Sequence, residues 1–260
     1  MSPQAPEAAA FLQPQWPALP GVQALMTLRG GGVSAAPFDS FNLSLGVGDD
    51  PAAVQANRAR LRARMPARPT WLRQVHGRDV LQIRHATPEH PPEPFDAAWT
   101  REAGLACMVG AADCMPVLFA TVDGRAVGAA HAGWRGLAAG VVEATLQALC
   151  EGQGVPPADV QVWLGPCIGP RQFEVGADVL QAFGQAPESP DPQLFVPRAR
   201  PDGSPRWLAH LPALAQLRLQ AAGVRCISTD GACTVEDPSS FFSFRRDGRT
   251  GRMLAAIWLG

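Results

Sequence analysis

The chain reads as a single α+β domain built on mixed sheet, and three features of its 260 residues predict that class. Compact apolar runs of strand length occupy 105–110, 115–122 and 126–130. Helical periodicity occupies 136–149 (Leu137, Val141, Ala144, Ala148) and 211–222. The two kinds of segment are interspersed without the strict alternation of a βαβ array, and no internal repeat is visible.

Residues 1–20 are rich in proline and alanine and are expected to form an N-terminal extension on the surface, ahead of a domain at 21–260. A strand at 22–28 ends at Gly30-Gly31-Gly32. Asp49-Asp50-Pro51 starts a helix that runs to Arg64, because proline suits a first helical turn. Short strands are expected at 71–75 and 79–83 around a turn at Gly77, followed by a proline-rich loop at 87–94. Asp123-Gly124 closes a hairpin between the second and third apolar runs. After the 136–149 helix come a strand at 160–164 and a short helix at 176–183, stopped by Gly184. Residues 185–206 hold six prolines and read as a long excursion. The 211–222 helix ends at Gly223, and 224–228, 241–244 and 253–258 read as closing strands.

Composition narrows the chemistry. The 22 basic residues are all arginine, and with 23 acidic residues the net charge is −1. That balance gives no general attraction for nucleic acid or anionic lipid. Lysine and tyrosine are both absent, which excludes a Schiff base, a phosphate-loop lysine and a phenolic acid. Gly30-Gly31-Gly32 is therefore read as a tight turn rather than a phosphate cradle. No basic residue precedes Arg29, so a secretory n-region is not expected. The apolar stretch 103–122 is broken by Asp113 and Pro116 and reads as two buried strands, not a membrane helix. Six cysteines in a chain of this length do not resemble a disulfide framework. The expectation is a cytoplasmic monomer with reduced thiols, acting on a small molecule.

Polar residues interrupt buried runs in three places. These are Gln74-Val75-His76-Gly77, Ala112-Asp113-Cys114-Met115-Pro116 and His131-Ala132-Gly133-Trp134-Arg135-Gly136. Each lies where an expected strand meets a turn, and such ends can converge. His76, Cys114 and His131 make a His₂Cys set suited to zinc, with a fourth position left for water or substrate. The wide spacing lacks any CxxC or HExxH signature, so a satisfied core histidine and a packing thiol stay open as readings of the same residues. Cys107, Cys167 and Cys233 read as packing thiols. Arg245-Arg246 is either a surface pair or an anion-binding fork, and Trp134 is a candidate pocket wall.

The order of the blocks resembles the YfiH/laccase-domain family, whose members go by polyphenol oxidase and purine nucleoside phosphorylase. The resemblance runs through Arg29-Gly30-Gly31-Gly32-Val33-Ser34, Phe41-Asn42-Leu43-Ser44, Asn57-Arg58 and the three segments above. It continues through Gly165-Pro166-Cys167-Ile168-Gly169, Phe173-Glu174-Val175-Gly176, Cys233-Thr234 and Phe241-Phe242-Ser243-Phe244-Arg245-Arg246. It implies an α/β sandwich related to the CNF type of bacterial toxin Cys-His hydrolases. It also implies metal ligands at His76, Cys114 and His131, with zinc as the usual ion, and substrate-side polar groups at Asn42, Arg58 and Arg135. Two departures stand out. Phe244 replaces the family's usual tyrosine, and His210 replaces an aspartate before a helix, which is expected to cost an N-cap.

The resemblance implies phosphorolysis of adenosine, inosine and methylthioadenosine, together with adenosine deamination, by a zinc enzyme. A second reading makes Cys114 a nucleophile activated by His131, in an amidase that edits peptidoglycan precursors. A third puts copper in the same site for phenol oxidation, and five histidines are few for a multicopper cluster. A zinc-stabilised interaction protein is the non-enzymatic alternative.

Overall fold

A computed structural model of the chain describes residues 10–260; residues 1–9, part of the expected extension, lie outside the described residues. Two mixed sheets stack face to face, and helices cover both outer surfaces. One sheet has six strands in the order Cys226–Thr229, Val160–Leu164, Met115–Thr121, Val127–Ala132, Ala97–Thr100 and Val80–Gln82. The other has five, in the order Phe11–Leu12, Val22–Thr27, Met253–Leu259, Leu105–Ala111 and Arg68–Pro69. A three-stranded sheet joins Glu174–Val175, Trp207–Ala209 and Phe195–Pro197.

Strand periodicity explains the layering. Successive side chains leave a strand on opposite faces. Leu118, Ala120 and Ala129 therefore meet Cys107, Val109 and Ile257 between the two large sheets. Val117, Phe119 and Ala130 face the other way, against Leu137, Val142, Leu146 and Leu214 on the helical layer. Ala106, Met108 and Ala256 turn from the five-stranded sheet toward Leu61 of the helix Pro51–Arg64. Strands buried on both faces read as continuous apolar runs, which is why these were visible in the sequence.

Most expected elements are present, with the following differences. The expected helix at 136–149 is two helices, Trp134–Ala139 and Val141–Gln153, because Gly140 takes a left-handed φ of 95° and breaks the ladder. The expected strand at 71–75 is absent as a ladder element: Trp71 N donates to Glu89 O, and Val75 N donates to the Asp96 carboxylate. Ala97–Thr100 is a strand that the sequence reading did not identify. The expected strand at 241–244 gives way to a short helix, Phe244–Asp247, whose first turn is capped by the Ser243 hydroxyl accepting from Arg246 N. Within 185–206 lies the strand Phe195–Pro197, which pairs with Trp207–Ala209.

His210 also behaves differently from expectation. Its Nδ1 accepts the Ala213 amide at 3.2 Å, so the imidazole itself caps the helix Leu211–Ala221. Phe11–Leu12 adds an edge strand to Val22–Thr27, with Phe11 edge-on to Phe41 at 5.7 Å.

Candidate functional site

His76, Cys114 and His131 converge. One ligand atom from each lies within 4.8 Å of the others, and among the described residues theirs is the one such cluster of His, Cys, Asp or Glu. His131 lies in the strand Val127–Ala132, and Cys114 sits in the turn immediately before Met115–Thr121. These strands pair antiparallel, with Met115 opposite Ala132 and Pro116 opposite His131. That register brings the thiol beside the imidazole. His76 comes from the irregular segment before Val80–Gln82, and its Nε2 lies 3.8 Å from Cys114 Sγ. The set is graded, with His131 buried, Cys114 half-buried and His76 exposed.

Asp96 organises this arrangement. Its carboxylate is fully buried and accepts from His131 Nδ1 at 2.8 Å. It also accepts the backbone amides of Val75, His76 and Gly77 at 3.0, 2.9 and 2.7 Å. Those amides serve one carboxylate, so residues 75–77 form a loop around it rather than a ladder. The loop holds His76 at φ 61°, a left-handed value that costs energy for a residue with a Cβ.

The Cys114 turn is held in a comparable way. Asp113 has φ 92°, and its carboxylate accepts the Thr234 hydroxyl and the Arg245 amide, both at 2.6 Å. Its carbonyl accepts the Ile168 amide at 2.9 Å. Both left-handed non-glycine residues among the described residues thus flank or form the triad. Gly133 gives the room: a Cβ there would lie 2.7 Å from Cys114 Sγ and 3.1 Å from His76 Cδ2.

The charges are mutually tuned. Burial alone would raise the Cys114 thiol, but hydrogen bonding to His131 and His76 outweighs it and brings the group down to about 6. Burial alone would lower His131, but Asp96 and then Cys114 raise it to about 9. Asp96 stays below its ordinary range, because His131 and the two amides of Val75 and Gly77 outweigh its burial. These shifts favour a thiolate, an imidazolium and a carboxylate in a row. Thiolate and imidazole are also the donor types that suit zinc, and a carboxylate on the far nitrogen of a histidine is the usual orienting partner.

The remaining expected site residues fall in different settings. Asn42 is fully buried and saturated: its amide donates to Ser44 O and Asp49 Oδ2, and its oxygen accepts from Ser44 N and Arg252 N. Arg58 is buried, donates to Leu43 O and stacks over Trp71 at 3.6 Å. Burial and then Arg62 lower its pKa to about 10. Arg135 is exposed and lies over Trp134 at 4.3 Å. Arg245 and Arg246 hold the fold together. Arg245 donates to the carbonyls of Gln172 and Glu174, and Arg246 to those of Thr234, Val235 and Phe241. Two residues the sequence reading missed, Asp96 and Arg252, lie at the start of strands. An acid opening the apolar run Ala97-Ala98-Trp99 was the available signal for the first.

Two clefts lie elsewhere. One of about 360 Å³ is lined by Gln13, Trp16, Leu25, Arg64 and Trp258. The other, about 260 Å³, is lined by Cys167, Cys233, His210 and the Arg171–Glu236 ion pair.

A family model described as multi-copper polyphenol oxidoreductase laccase matches residues 23–260. The chain belongs to that family. A purine nucleoside phosphorylase of Pseudomonas aeruginosa, PA4543, is 49% identical over 250 residues, covering 96% of this chain and 98% of the relative. The purine nucleoside phosphorylase YfiH of Escherichia coli is 43% identical over 251 residues, covering 96% and 98%. Among solved structures, Neisseria meningitidis protein NMB0706 superposes with a TM-score of 0.87 at 42% identity, over 96% of this chain and 99% of that one. YlmD from Geobacillus stearothermophilus gives 0.86 at 35% identity, over 97% of each chain. The α+β architecture is thus shared with solved members of the family. Among the described residues no helix is long and apolar enough to cross a membrane.

Proposed function

We propose that this chain is a zinc-dependent purine nucleoside phosphorylase acting on adenosine, inosine and methylthioadenosine, with adenosine deamination as a second activity at the same site. The observation that carries the reading is the graded His₂Cys cluster. Three suitable donors lie within 4.8 Å, anchored in the core at His131 and open to solvent at His76. An open side is the catalytic pattern, whereas a structural site is closed by four protein donors. The names of the relatives at 49% and 43% identity support the same substrate class.

A zinc ion held by His76, Cys114 and His131 supplies a Lewis acid for a substrate oxygen. The protein's own part is preorganisation. Asp96 fixes Nδ1 of His131 as the donor, which leaves Nε2 for the site. Cys114 is held as a thiolate near neutrality by its histidines. In phosphorolysis the C1′–N9 bond breaks and a C1′–oxygen bond to phosphate forms. The bonding pair leaves with the purine, and the proton given up by hydrogen phosphate ends on the base. Cations near the site favour the phosphate dianion, and in a chain without lysine the permanently charged side chains are arginines.

Metal analysis of the purified protein coupled to product detection tests the proposal. Zinc near one per chain, with release of adenine or hypoxanthine only when phosphate is present, is the expected result. Phosphate-independent release of an amino acid from a muramyl precursor would overturn it.

The Asp96–His131–Cys114 row favours a second reading, a thiol amide hydrolase in which Cys114 attacks and His131 carries the proton. Cys114→Ala separates the two. Loss of metal together with activity fits a ligand, and retained metal with lost activity fits a nucleophile. Copper-dependent phenol oxidation has less support. Of the other histidines, His85 is exposed beside Glu102 and His210 caps a helix, which leaves little for a multicopper centre.

A further inference from the structure

Arg252 directly precedes the strand Met253–Leu259, in which Met253 pairs with Ala111. That register sets it across from the Ala112-Asp113-Cys114 turn. Its backbone amide donates to Asn42 Oδ1 at 3.0 Å, and its Nη1 donates to the carbonyls of Thr250 and Gly251 at 3.0 and 2.9 Å. One edge of the guanidinium is thereby pinned. Among the described residues, no group accepts from its Nε or Nη2. The exposed ring of Phe244 lies 5.9 Å from its Cζ. Burial lowers the Arg252 pKa, and Cys114 and Asp113 are the negative groups that oppose this, which places its charge in the field of the triad.

Of the other arginines of the neighbourhood, two are committed to the main chain, one is buried against an indole and one is exposed. Arg245 and Arg246 donate to main-chain carbonyls, and Arg58 lies flat on Trp71. Arg135 is exposed and lies against Trp134. Arg252 is partly buried, held in place and has an unused two-donor edge, the geometry that takes two oxygens of one oxyanion.

We propose that the Nε/Nη2 edge of Arg252, beside the Asp113–Cys114 turn and under Phe244, is the subsite for inorganic phosphate. This rests on the phosphorolysis reading and specifies where its second substrate sits. Asn42 then has a positioning role, since its side chain holds the Arg252 backbone without meeting the ligand.

The test compares wild type with Arg252→Gln and Arg252→Lys. Steady-state kinetics vary phosphate and nucleoside separately, and calorimetry titrates inorganic phosphate into each protein without nucleoside. A charge-assisted pair is worth roughly 1.5–3 kcal/mol, so Arg252→Gln should raise the phosphate KM by about ten- to hundredfold. Nucleoside KM and metal content should stay near wild type, and Arg252→Lys should recover part of the loss. An unchanged phosphate KM overturns the subsite, as does an equal loss of nucleoside and phosphate affinity with a lowered Tm. Should Arg252→Gln not fold, Arg252→Lys decides: it keeps the charge and loses the fork, and an unchanged phosphate KM overturns the assignment. Should the wild type show no phosphorolysis, that reading falls and calorimetry judges the subsite alone. Phosphate binding present in wild type and lost in Arg252→Gln upholds it; binding equal in both, or absent from both, sinks it.

Discussion

The Asp96 carboxylate joins His131 to His76: one oxygen takes Nδ1 of His131 at 2.8 Å and the His76 amide at 2.9 Å. A single buried acid therefore sets a ring orientation in the core and a loop conformation at the surface. Asp96→Asn keeps the shape but removes the charge and offers an NH₂ where donors already crowd. Outer partners of a metal-binding histidine commonly contribute about 10–100-fold in affinity, and a loss of that size is expected here. Competition with a graded chelator series reads it. Wild-type metal affinity in a folded Asp96→Asn protein would refute the orienting role.

Gly133 makes a steric prediction. A methyl group there would press on Cys114 Sγ at 2.7 Å and His76 Cδ2 at 3.1 Å. Gly133 has φ −67°, so the substitution tests space and not backbone strain. Gly133→Ala should cost about 1–3 kcal/mol of stability, as overpacking does, and weaken metal binding by spreading the donors. Gly46→Ala is the control, since its methyl would meet only Ser44 Oγ at 3.8 Å. Equal Tm and equal metal content in the two variants would contradict the packing argument.

Asp113 separates strain from hydrogen bonding. Its φ of 92° suits glycine, yet its carboxylate holds Thr234 and the Arg245 amide. Both Asp113→Gly and Asp113→Ala lose those bonds, but only alanine keeps the left-handed penalty of roughly 1–2 kcal/mol. The glycine variant should therefore melt higher than the alanine variant, the reverse of the order in a helix or strand. The opposite order would show that the turn relaxes once its acceptors are gone.

These sites also show what was legible in the sequence. The central strands announced themselves because both faces are buried, so Met115-Pro116-Val117-Leu118-Phe119 is one apolar run. The triad announced itself because His76, Cys114 and His131 interrupt or border such runs. Ala97–Thr100 stayed hidden because its two alanines carry weak strand propensity. Phe241-Phe242 looked like a strand, yet the Ser243 cap and the Arg246 guanidinium, which gathers carbonyls from 234, 235 and 241, turn the chain into a helix. Asp96 acts on His131 across 35 residues, and Arg252 meets Asn42 across 210. No local pattern encodes partners that far apart; only the sheet register brings them together.

His210 carries a pH prediction. Its Nδ1 can accept the Ala213 amide only while unprotonated, and burial lowers its pKa from the ordinary 6.5. The unfolded chain therefore takes up the proton first as pH falls. The cap's contribution is complete above the unfolded value and is lost as pH drops through the window between that value and the lower folded one. His210→Asn caps through an oxygen that does not titrate in this range, so it isolates the effect. A cap is worth about 1 kcal/mol, which in a chain of this size corresponds to about 2–4 °C in Tm. Thermal midpoints of the two proteins should converge or favour wild type near pH 8, and separate in favour of His210→Asn by up to that amount toward about pH 5, the range over which an imidazole changes charge. Parallel curves across the range would show that the imidazole contributes through packing and not through its lone pair.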